Sequence, residues 1–452
     1  MNALELRASL SLAGLYGLRM LGLFLILPVF ALYAQKLGGG ENHSMIGLAL
    51  GAYGATQALL QLPFGMLSDR IGRKKVIYIG LALFAAGSFV AGHADTVTGV
   101  MIGRIIQGSG AISAAITALL ADLTREEHRT RAMAMIGGTI GVTFAISLVA
   151  GPLLAHWIGL TGIFDLTGVL AVLAIIGTWR IIPDPSRSTF HSDAEANPKR
   201  LPHVLRDPQL QRLNYGVFAL HAAQMALFAS MPLVLERAGF ARDNHWQVYL
   251  PVMVIGFVLM IPAVIIGETR NKLKQVFLAA VTVMLIAQLG MSTGLDTQLQ
   301  IYGWLGLYFL AFNILEATQP SLISKLAPAE AKGTAMGVYN TTQSLGMAVG
   351  GASGGWLYHH GGAPVVYAFC AILIGIWLIV TFGLRPPLPV RTLMFHLDDE
   401  VLADASDLAR QLSQLEGVKE ASVIREEGVA MLKVLRDGWD EATGRQLMRL
   451  PA

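Results

Sequence analysis

Residues 65–80 read GMLSDRIGRKKVIYIG and lie between two long apolar runs. The charged residues of this segment fall within eleven positions, and they are Asp69, Arg70, Arg73, Lys74 and Lys75. Gly65 and Gly72 stand among them, and glycine allows both tight turns and close backbone approach. The pattern indicates a charged turn between two helices that are otherwise buried in an apolar medium.

The composition extends this interpretation to the whole chain. Of its residues 54% are hydrophobic and only 14% are charged, a balance that a soluble protein of this length would not tolerate. The net charge of +3 favours neither nucleic acid nor an acidic substrate as a partner. Cys370 is the single cysteine, which excludes an internal disulfide and a cysteine-based metal site. The chain is predicted to be a membrane protein.

Apolar runs long enough to cross a bilayer recur along the sequence. A hydrocarbon core about 30 Å thick needs about 20 helical residues. Twelve such spans are predicted, at 12–35, 46–68, 76–92, 97–121, 132–157, 162–182, 210–235, 247–267, 276–292, 299–325, 333–358 and 364–384. The opening MNALELRASL lacks the features of a removable signal, so the first span is expected to be retained. Helical spans, as opposed to alternating strands, indicate an inner-type membrane.

Lysine and arginine are distributed unequally between alternate loops. With the N-terminus inside, the cytoplasmic loops hold Arg70, Arg73, Lys74, Lys75, Arg125, Arg129, Arg131, Lys199, Arg200, Arg270, Lys272 and Lys274. The opposite loops hold only Lys36, Arg237 and Arg242. The positive-inside rule therefore places both termini in the cytoplasm.

The longest internal connection divides the spans six and six. We predict an N-terminal bundle at 1–182, a cytoplasmic linker at 183–209, a C-terminal bundle at 210–386 and a small domain at 387–452. The loop GETRNKLK repeats the spacing of Gly65 and Asp69 with Gly267 and Asn271, as in transporters built from parallel repeats.

The last segment changes character. It is expected to form strands at RTLMFHL, VKEASVI and VAMLKVL and helices at VLADASDLARQLSQL and WDEATGRQLMRL, with a turn at Glu427-Gly428. This βαββα order indicates a ferredoxin-like cytoplasmic domain. The domain contains no cysteine, so soft-metal binding is disfavoured, and regulation, dimerisation, docking on the cytoplasmic loops and a plain stabilising role stay open.

The charged turn matches a known motif. Gly65, Asp69, Arg70, Gly72, Arg73 and Lys74 fit G-x-x-x-D-R-x-G-R-K, and the chain resembles the major facilitator superfamily. Arg104 with its neighbours resembles the second motif of that family, and Gly151-Pro152 resembles its antiporter motif. The resemblance implies an all-α polytopic membrane protein with two six-helix bundles, in a bacterial inner membrane. It also implies a drug:proton antiporter type, with a small molecule and protons as partners.

The resemblance suggests a purpose for the charged turn. Asp69 is expected to lie against the positive N-terminus of the eleventh span, around residues 333–335, and so to lock the two halves together. Arg70 and Arg73 are expected to bond Asp122 at the end of the fourth span. The alternative is that these basic residues serve only to orient the protein in the membrane.

Ionisable residues at membrane depth are candidates for proton coupling because they are costly there. Glu316 is the main candidate proton carrier, and His221 can titrate or bond substrate. The resemblance places these two and Arg104 around a central cavity. A structural hydrogen bond is the alternative for each. Arg19 either faces the cavity or reaches back to the membrane interface.

The sequence therefore predicts proton-coupled export of a small apolar or amphipathic compound by alternating access. Proton-linked sugar or metabolite uptake and a membrane sensor that signals through the C-terminal domain are the alternatives, and antiport and symport both stay open. No G-x-x-x-x-G-K-[ST] loop occurs, and no cofactor, metal, nucleic acid or enzymatic activity is expected.

Overall fold

The structure is a computed structural model, and it describes residues 1, 3–184, 195–386, 390–402, 404–425, 428–435 and 438–450. The helices of the N-terminal half are α1 Ala3–Phe24, α2 Leu27–Ala34, α3 His43–Ile71, α4 Arg73–Gly92, α5 Val97–Ser109, α6 Ser113–Leu123 and α7 Glu126–Ile181. Those of the C-terminal half are α8 Leu201–Arg206, α9 Pro208–Arg237, α10 Trp246–Thr269, α11 Leu273–Ser292, α12 Gln298–Leu326 and α13 Lys332–Phe382. Short 3₁₀ turns lie at Pro198–Arg200, Arg242–Asn244 and Ala329–Ala331.

The predicted spans are all found in the described residues. Nine helical stretches there are long and apolar enough to cross a membrane. Two of them, α7 and α13, each contain two spans, because the chain turns at Gly159 (φ 66°) and at Gly362 (φ 71°). Glycine adopts these positive φ values without steric cost. The 29-residue helix α12 provides the remaining crossing.

Two spans are less regular than the sequence suggested. The first is interrupted between α1 and α2, where Pro28 follows the break and cannot donate a backbone hydrogen bond. The fourth is interrupted between α5 and α6, where Gly110 packs directly on the backbone of Gly80 in α4. Within the predicted linker, residues 198–206 form a 3₁₀ turn and α8. Pro198 and Pro202 stand at helix starts, where a missing N–H is tolerated.

Helix α13 packs along a helix of each half. Its glycines at 346, 350 and 354 face α9, and those at 351 and 355 face α3. A methyl group added at Gly354 would lie 2.6 Å from the Cα of Ala226 in α9. One added at Gly51 in α3 would lie 2.5 Å from the carbonyl oxygen of Ala348. Small residues thus let the two halves approach through backbone contact.

The C-terminal segment is a small α+β domain, as predicted. Strands β1 Val390–His396, β2 Val418–Ile424 and β3 Val429–Leu435 form an antiparallel sheet in the order β1-β3-β2. Helices α14 Asp399–Leu402, α15 Ala405–Ser413 and α16 Glu441–Leu447 complete it. Hydrogen bonds from Thr443 lower the pKa of Asp440, which caps α16. The predicted turn at Glu427-Gly428 lies partly outside the described residues.

The α3–α4 turn, residues 195–206 and the C-terminal domain lie on one side of the bundles, which we call the linker face. Their contacts place them together. Arg73 pairs with Glu195, and Glu330 contacts both Arg200 of the linker and Ser422 of the C-terminal domain. The expected orientation makes this the cytoplasmic side.

Candidate functional site

The turn between α3 and α4 consists of a single residue. Gly72 has φ +100° and joins Ile71, the last residue of α3, to Arg73, the first of α4. Only glycine adopts this backbone conformation readily. Close packing below the turn involves Gly65, where an added Cβ would lie 3.2 Å from the Cβ of Ala114. This geometry buries the side chain of Arg73, which is 2% exposed.

Arg73 is the centre of an ion cluster on the linker face. Its Nη1 donates to Asp69 and, over 3.0 Å, to the hydroxyl of Ser68. Its Nε donates to Asp122 Oδ2 over 3.5 Å, and its Nη2 lies 2.7 Å from Glu195 Oε2. The side chains of Asp122 and Glu195 are 0% and 5% exposed. One guanidinium therefore compensates several carboxylates that would be costly to bury alone. We call these residues the Arg73 cluster.

Glu195 connects this cluster to α13. Its backbone covers Gly333, where an added Cβ would lie 2.7 Å from the carbonyl carbon of Glu195. Two residues later the N–H of Asn197 donates to Thr334 Oγ1 over 2.9 Å. The start of α13 is thus contacted by the linker, at the place where the sequence predicted Asp69. Sequence reasoning missed Glu195, because nothing in its neighbourhood signals a partner more than a hundred residues away.

Arg70 and Lys74, the other basic residues of the motif, lie outside the Arg73 cluster. Arg70 is exposed and forms no ion pair with any residue that the structure describes. Lys74 Nζ lies 2.9 Å from Asp184 Oδ1, but Asp184 is 84% exposed, so solvent screens this pair. Of the two arginines expected to reach Asp122, the structure brings Arg73 to it.

The C-terminal domain joins the same network through the turn before α13. Glu330 Oε2 lies 3.3 Å from Arg200 Nη2 and accepts a 2.9 Å hydrogen bond from Ser422 Oγ. Lys433, in β3, donates to the carbonyl oxygen of Ala327 and pairs with Glu420 at 3.0 Å. The linker and the C-terminal domain therefore share one carboxylate.

At membrane depth the structure brings His221 and Glu316 together. His221 Nε2, on α9, lies 3.5 Å from Glu316 Oε2, on α12. Their side chains are 4% and 27% exposed. Gln343, on α13, places its Nε2 2.6 Å from the same imidazole nitrogen. Glu316 Oε2 is buried and has no hydrogen-bond donor among the described residues. Sequence reasoning missed Gln343, since an amide within a helix carries no distinctive pattern.

Arg19 braces the break in the fourth span. It donates from Nη2 to the carbonyl oxygen of Gly110 and from Nη1 to Ser113 Oγ, both over 3.0 Å. Tyr16 also donates to Ser113 Oγ, over 3.3 Å. The guanidinium thus lies at the C-terminal end of α5, where backbone carbonyls lack helical partners. Arg19 is 2% exposed, so its side chain is held inside the N-terminal half.

Arg104 is buried within the N-terminal half. Its guanidinium lies 4.9 Å from the centre of the Tyr53 ring and donates to Gln107 Oε1 over 3.2 Å. Its Nε and Nη2 have no hydrogen-bond partner in the part of the chain that the structure describes. The contacts of Arg104 are therefore separate from the pair formed by His221 and Glu316.

Aromatic rings from both halves meet around Phe144 of α7. The centroid of its ring lies 5.0 Å from that of Phe24, 5.5 Å from that of Phe312 and 6.3 Å from those of Phe228 and Phe309. We call these five residues the Phe144 cluster. The His221 ring lies 6.2 Å from that of Phe312. Phe228 follows His221 by seven residues, or about 10 Å of helix, toward the face opposite the linker.

The face opposite the linker carries further contacts between the halves. His156 Nδ1, on α7, lies 2.8 Å from Asp243 Oδ2 in the turn before α10, and both side chains are half-exposed.

Gly151 and Pro152 shape the packing of α7 within the N-terminal half. A methyl group at Gly151 would lie 2.6 Å from the carbonyl oxygen of Leu25, so α7 packs on the break between α1 and α2. Pro152, the next residue, lies inside α7 and removes one of its backbone hydrogen bonds.

The ionisable side chains do not form a metal centre in the residues that the structure describes. No group of three His, Cys, Asp or Glu side chains there could hold a metal ion. Cys370 is a buried free thiol.

Comparisons with known sequences place the chain among transporters. The model of a family described as Major Facilitator Superfamily matches residues 12–351 and 314–411. The inner membrane transport protein YajR of Escherichia coli (strain K12) is 42% identical over 95% of this chain and 94% of its own length. The multidrug resistance protein MdtH of Cronobacter sakazakii is 26% identical over 76% of this chain and 85% of its own length.

Comparison with solved structures supports the fold. A bacterial homologue of the human lysosomal transporter Spinster, solved in an inward-facing and unoccupied conformation, superimposes with a TM-score of 0.68. The match covers 84% of this chain and 97% of that one, at 13% sequence identity.

Proposed function

The chain belongs to the major facilitator superfamily of membrane transporters, and we propose that it exports a small apolar or amphipathic compound in exchange for protons. The closeness of His221 and Glu316 is the observation that carries this proposal. Both groups can change charge, and both are costly to hold charged at membrane depth. A proton that binds to one of them alters the charge seen by the other, so this pair is suited to couple proton entry to a second event.

The bonding of Glu316 supports its role as the proton carrier. Its Oε2 is buried without a hydrogen-bond donor among the described residues, so a proton added there displaces no existing hydrogen bond. The side chain is nevertheless 27% exposed, so a proton can reach it. The Phe144 cluster lies between this pair and the face opposite the linker.

The substrate class follows from what surrounds the pair. The Phe144 cluster supplies apolar rings from α1, α7, α9 and α12, which suit an apolar or aromatic compound. The name of MdtH as a multidrug resistance protein points in the same direction for this chain.

The Arg73 cluster is proposed as the lock on the linker face. Alternating access requires contacts that exist in one state of the transporter and break in the other. Arg73 and Asp122 belong to the N-terminal half, whereas Gly333 begins α13 of the C-terminal half, and Glu195 lies between them. The lock therefore acts through the linker. We propose an inner-membrane location with both termini in the cytoplasm.

Coupled proton movement in liposomes tests the proposal. Wild type, Glu316→Gln and Glu236→Gln would be reconstituted with a pH-sensitive dye inside and challenged with candidate amphipathic drugs. Glu236 is a matched control, because its carboxylate pairs with Arg242 at the face opposite the linker. Wild type and Glu236→Gln are expected to move protons in the direction opposite to the substrate. The rate of this exchange is expected to be at least tenfold lower in Glu316→Gln. Equal exchange in Glu316→Gln would refute the proton-carrier role.

The same assay separates the alternatives. Protons that move in the same direction as a sugar or metabolite would indicate uptake by symport. Deletion of residues 388–452 would abolish the output of a sensor, whereas a transporter of the proposed kind would keep coupled exchange.

A further inference from the structure

The contacts of the His221 ring nitrogens define where its protons lie. Nδ1 is 3.0 Å from the carbonyl oxygen of Val217, which can only accept a hydrogen bond. Nδ1 therefore carries a hydrogen. Nε2 is the nitrogen that gains or loses a proton, and it is also the nitrogen that faces Glu316 at 3.5 Å.

The third contact comes from Gln343. Its Nε2 carries two hydrogens and lies 2.6 Å from His221 Nε2. Two donors cannot share a hydrogen bond, so in this arrangement the imidazole is neutral and its Nε2 accepts from the amide. A proton on that nitrogen would displace the amide, which would then have to rotate and present its oxygen.

We propose that Gln343 is a positioning residue of the proton site: by donating to Nε2 of His221 it keeps this nitrogen free of a proton and leaves proton binding to Glu316. The inference rests on the proposed function, which it deepens by dividing the roles within the pair. When His221 does take the proton, its Nε2–H points to the carboxylate of Glu316 and no longer needs the amide. The hydrogen bond from the Gln343 amide stabilises the neutral imidazole, and the carboxylate of Glu316 stabilises the protonated imidazolium.

The position of Gln343 links this division to the contact between the halves. The next residue, Ser344, has its carbonyl oxygen 2.7 Å from where a methyl group at Gly54 of α3 would lie. Helix α13 thus touches the N-terminal half beside the residue that bonds His221. A shift of α13 against α3 would therefore move the amide of Gln343 relative to His221.

Other ionisable groups near the pair come from several elements. The phenols close enough to interact electrostatically with Glu316 are those of Tyr16 of α1, Tyr308 of α12 and Tyr339 of α13. Arg19 is the charged group behind Tyr16, and Ser113 bonds both of them. From α7 the apolar ring of Phe144 lies 5.5 Å from that of Phe312, which is in turn 6.2 Å from the His221 ring. Gln343 is the group that donates to the titrating nitrogen of His221.

A direct titration of His221 tests the proposal independently of transport. Full-length protein labelled with ¹⁵N-histidine would be studied by solid-state NMR in lipid bilayers, and the His221 signals identified by their loss in His221→Gln. Gln343→Met removes the amide at nearly constant volume. In Gln343→Met, His221 is expected to gain its second proton at a pH about half a unit or more above that of wild type, since one hydrogen bond to the neutral imidazole is lost.

Gln288→Met is the matched control. Gln288, on α11 of the same half, is a buried amide whose side-chain atoms have no hydrogen-bond partner among the described residues. Its replacement is expected to leave the His221 titration unchanged. If Gln343→Met folds poorly, Gln343→Asn keeps the amide one methylene short of the imidazole and is expected to shift the titration in the same direction. An unshifted titration in the Gln343 variants would overturn the proposal.

Coupled exchange in liposomes provides the second readout. The pH midpoint of proton exchange is expected to move upward in Gln343→Met and to show no further change when Gln343→Met is added to His221→Gln. An equal shift in the His221→Gln background would show that Gln343 does not act through His221. Full exchange in Glu316→Gln would instead defeat the proposed function, while the NMR titration would still decide the role of Gln343.

Discussion

The Arg73 cluster and the pair at membrane depth are both small groups of charged side chains, but they are bonded very differently. Arg73 donates to Ser68, Asp69 and Asp122 and pairs with Glu195. Glu316 has a buried oxygen with no donor among the described residues. A cluster in which one guanidinium contacts several carboxylates holds a position, because every change removes a contact. The pair of His221 and Glu316 has fewer contacts that hold it in one arrangement, and the proposed coupling requires a site whose contacts can change.

The largest effect is expected from breaking the Arg73 cluster. Arg73→Met would remove the Arg73 guanidinium from the buried carboxylates of Asp122 and Glu195, at a cost of about 3–5 kcal/mol in unfolding free energy. Denaturant unfolding of the detergent-solubilised protein would measure it. Arg410→Met is the control, since Arg410 is 72% exposed in its pair with Asp407. A loss of unfolding free energy for Arg73→Met no larger than that of the control would show that the contacts of Arg73 do not stabilise the protein.

The next effect concerns the linker. Glu195→Ala removes one charged contact of Arg73. That contact ties the linker to Arg73 at the point where the backbone of the linker covers the start of α13. The expected cost is about 1.5–3 kcal/mol, the range for hydrogen bonds to charged groups. Proteolysis of the linker should accelerate as well. Asp184→Ala is the control, since it breaks the exposed pair with Lys74 and is expected to cost about 0–1 kcal/mol. Equal costs for the two variants would contradict the role of Glu195 in joining Arg73 to the start of α13.

A smaller effect is expected from the aromatic barrier between the pair and the opposite face. Phe144→Ala removes ring contacts worth about 0.5–1.5 kcal/mol each beyond burial. A cysteine placed at Gly141, one turn nearer the linker face, should then react several times faster with an impermeant reagent applied from the opposite face. Phe382→Ala, at a 66% exposed position, serves as control. Unchanged labelling in Phe144→Ala would mean that the barrier lies elsewhere.

The smallest effect is expected at the surface of that opposite face. His156→Gln breaks a half-exposed pair with Asp243, so the change should stay within about 1 kcal/mol and decrease with added salt. Unfolding at low and high salt would measure it. A larger, salt-independent loss would indicate that this pair is a principal contact between the halves.

Much of the architecture was predictable from residue order. The charged turn at 65–75, the apolar run lengths and the Lys/Arg bias led to twelve spans in two halves, and the alternation after residue 390 led to the small α+β domain. These signals are local, because the bilayer imposes a length on each helix and the pleat imposes a period on each strand. The interruptions at Pro28 and Gly110 were missed, since the hydrophobic run continues across them.

The candidate site was predictable only in part. Glu316 and His221 stand out because ionisable residues are rare in apolar helices, and this rarity is visible in the sequence. Gln343 and Glu195 do not stand out. Their importance comes from which atom each one faces, and that depends on helices and a linker that are distant in the chain.

The sequence by itself determined that this protein crosses a membrane in two halves, belongs to a transporter family and carries ionisable groups where they are costly. Those properties follow from composition, run length and a motif of adjacent positions. Only the tertiary structure decided that Glu195 joins Arg73 to the start of α13 and that Gln343 donates to His221. Hydrogen bonds act over about 3 Å, so they are decided by how the helices pack and in which register.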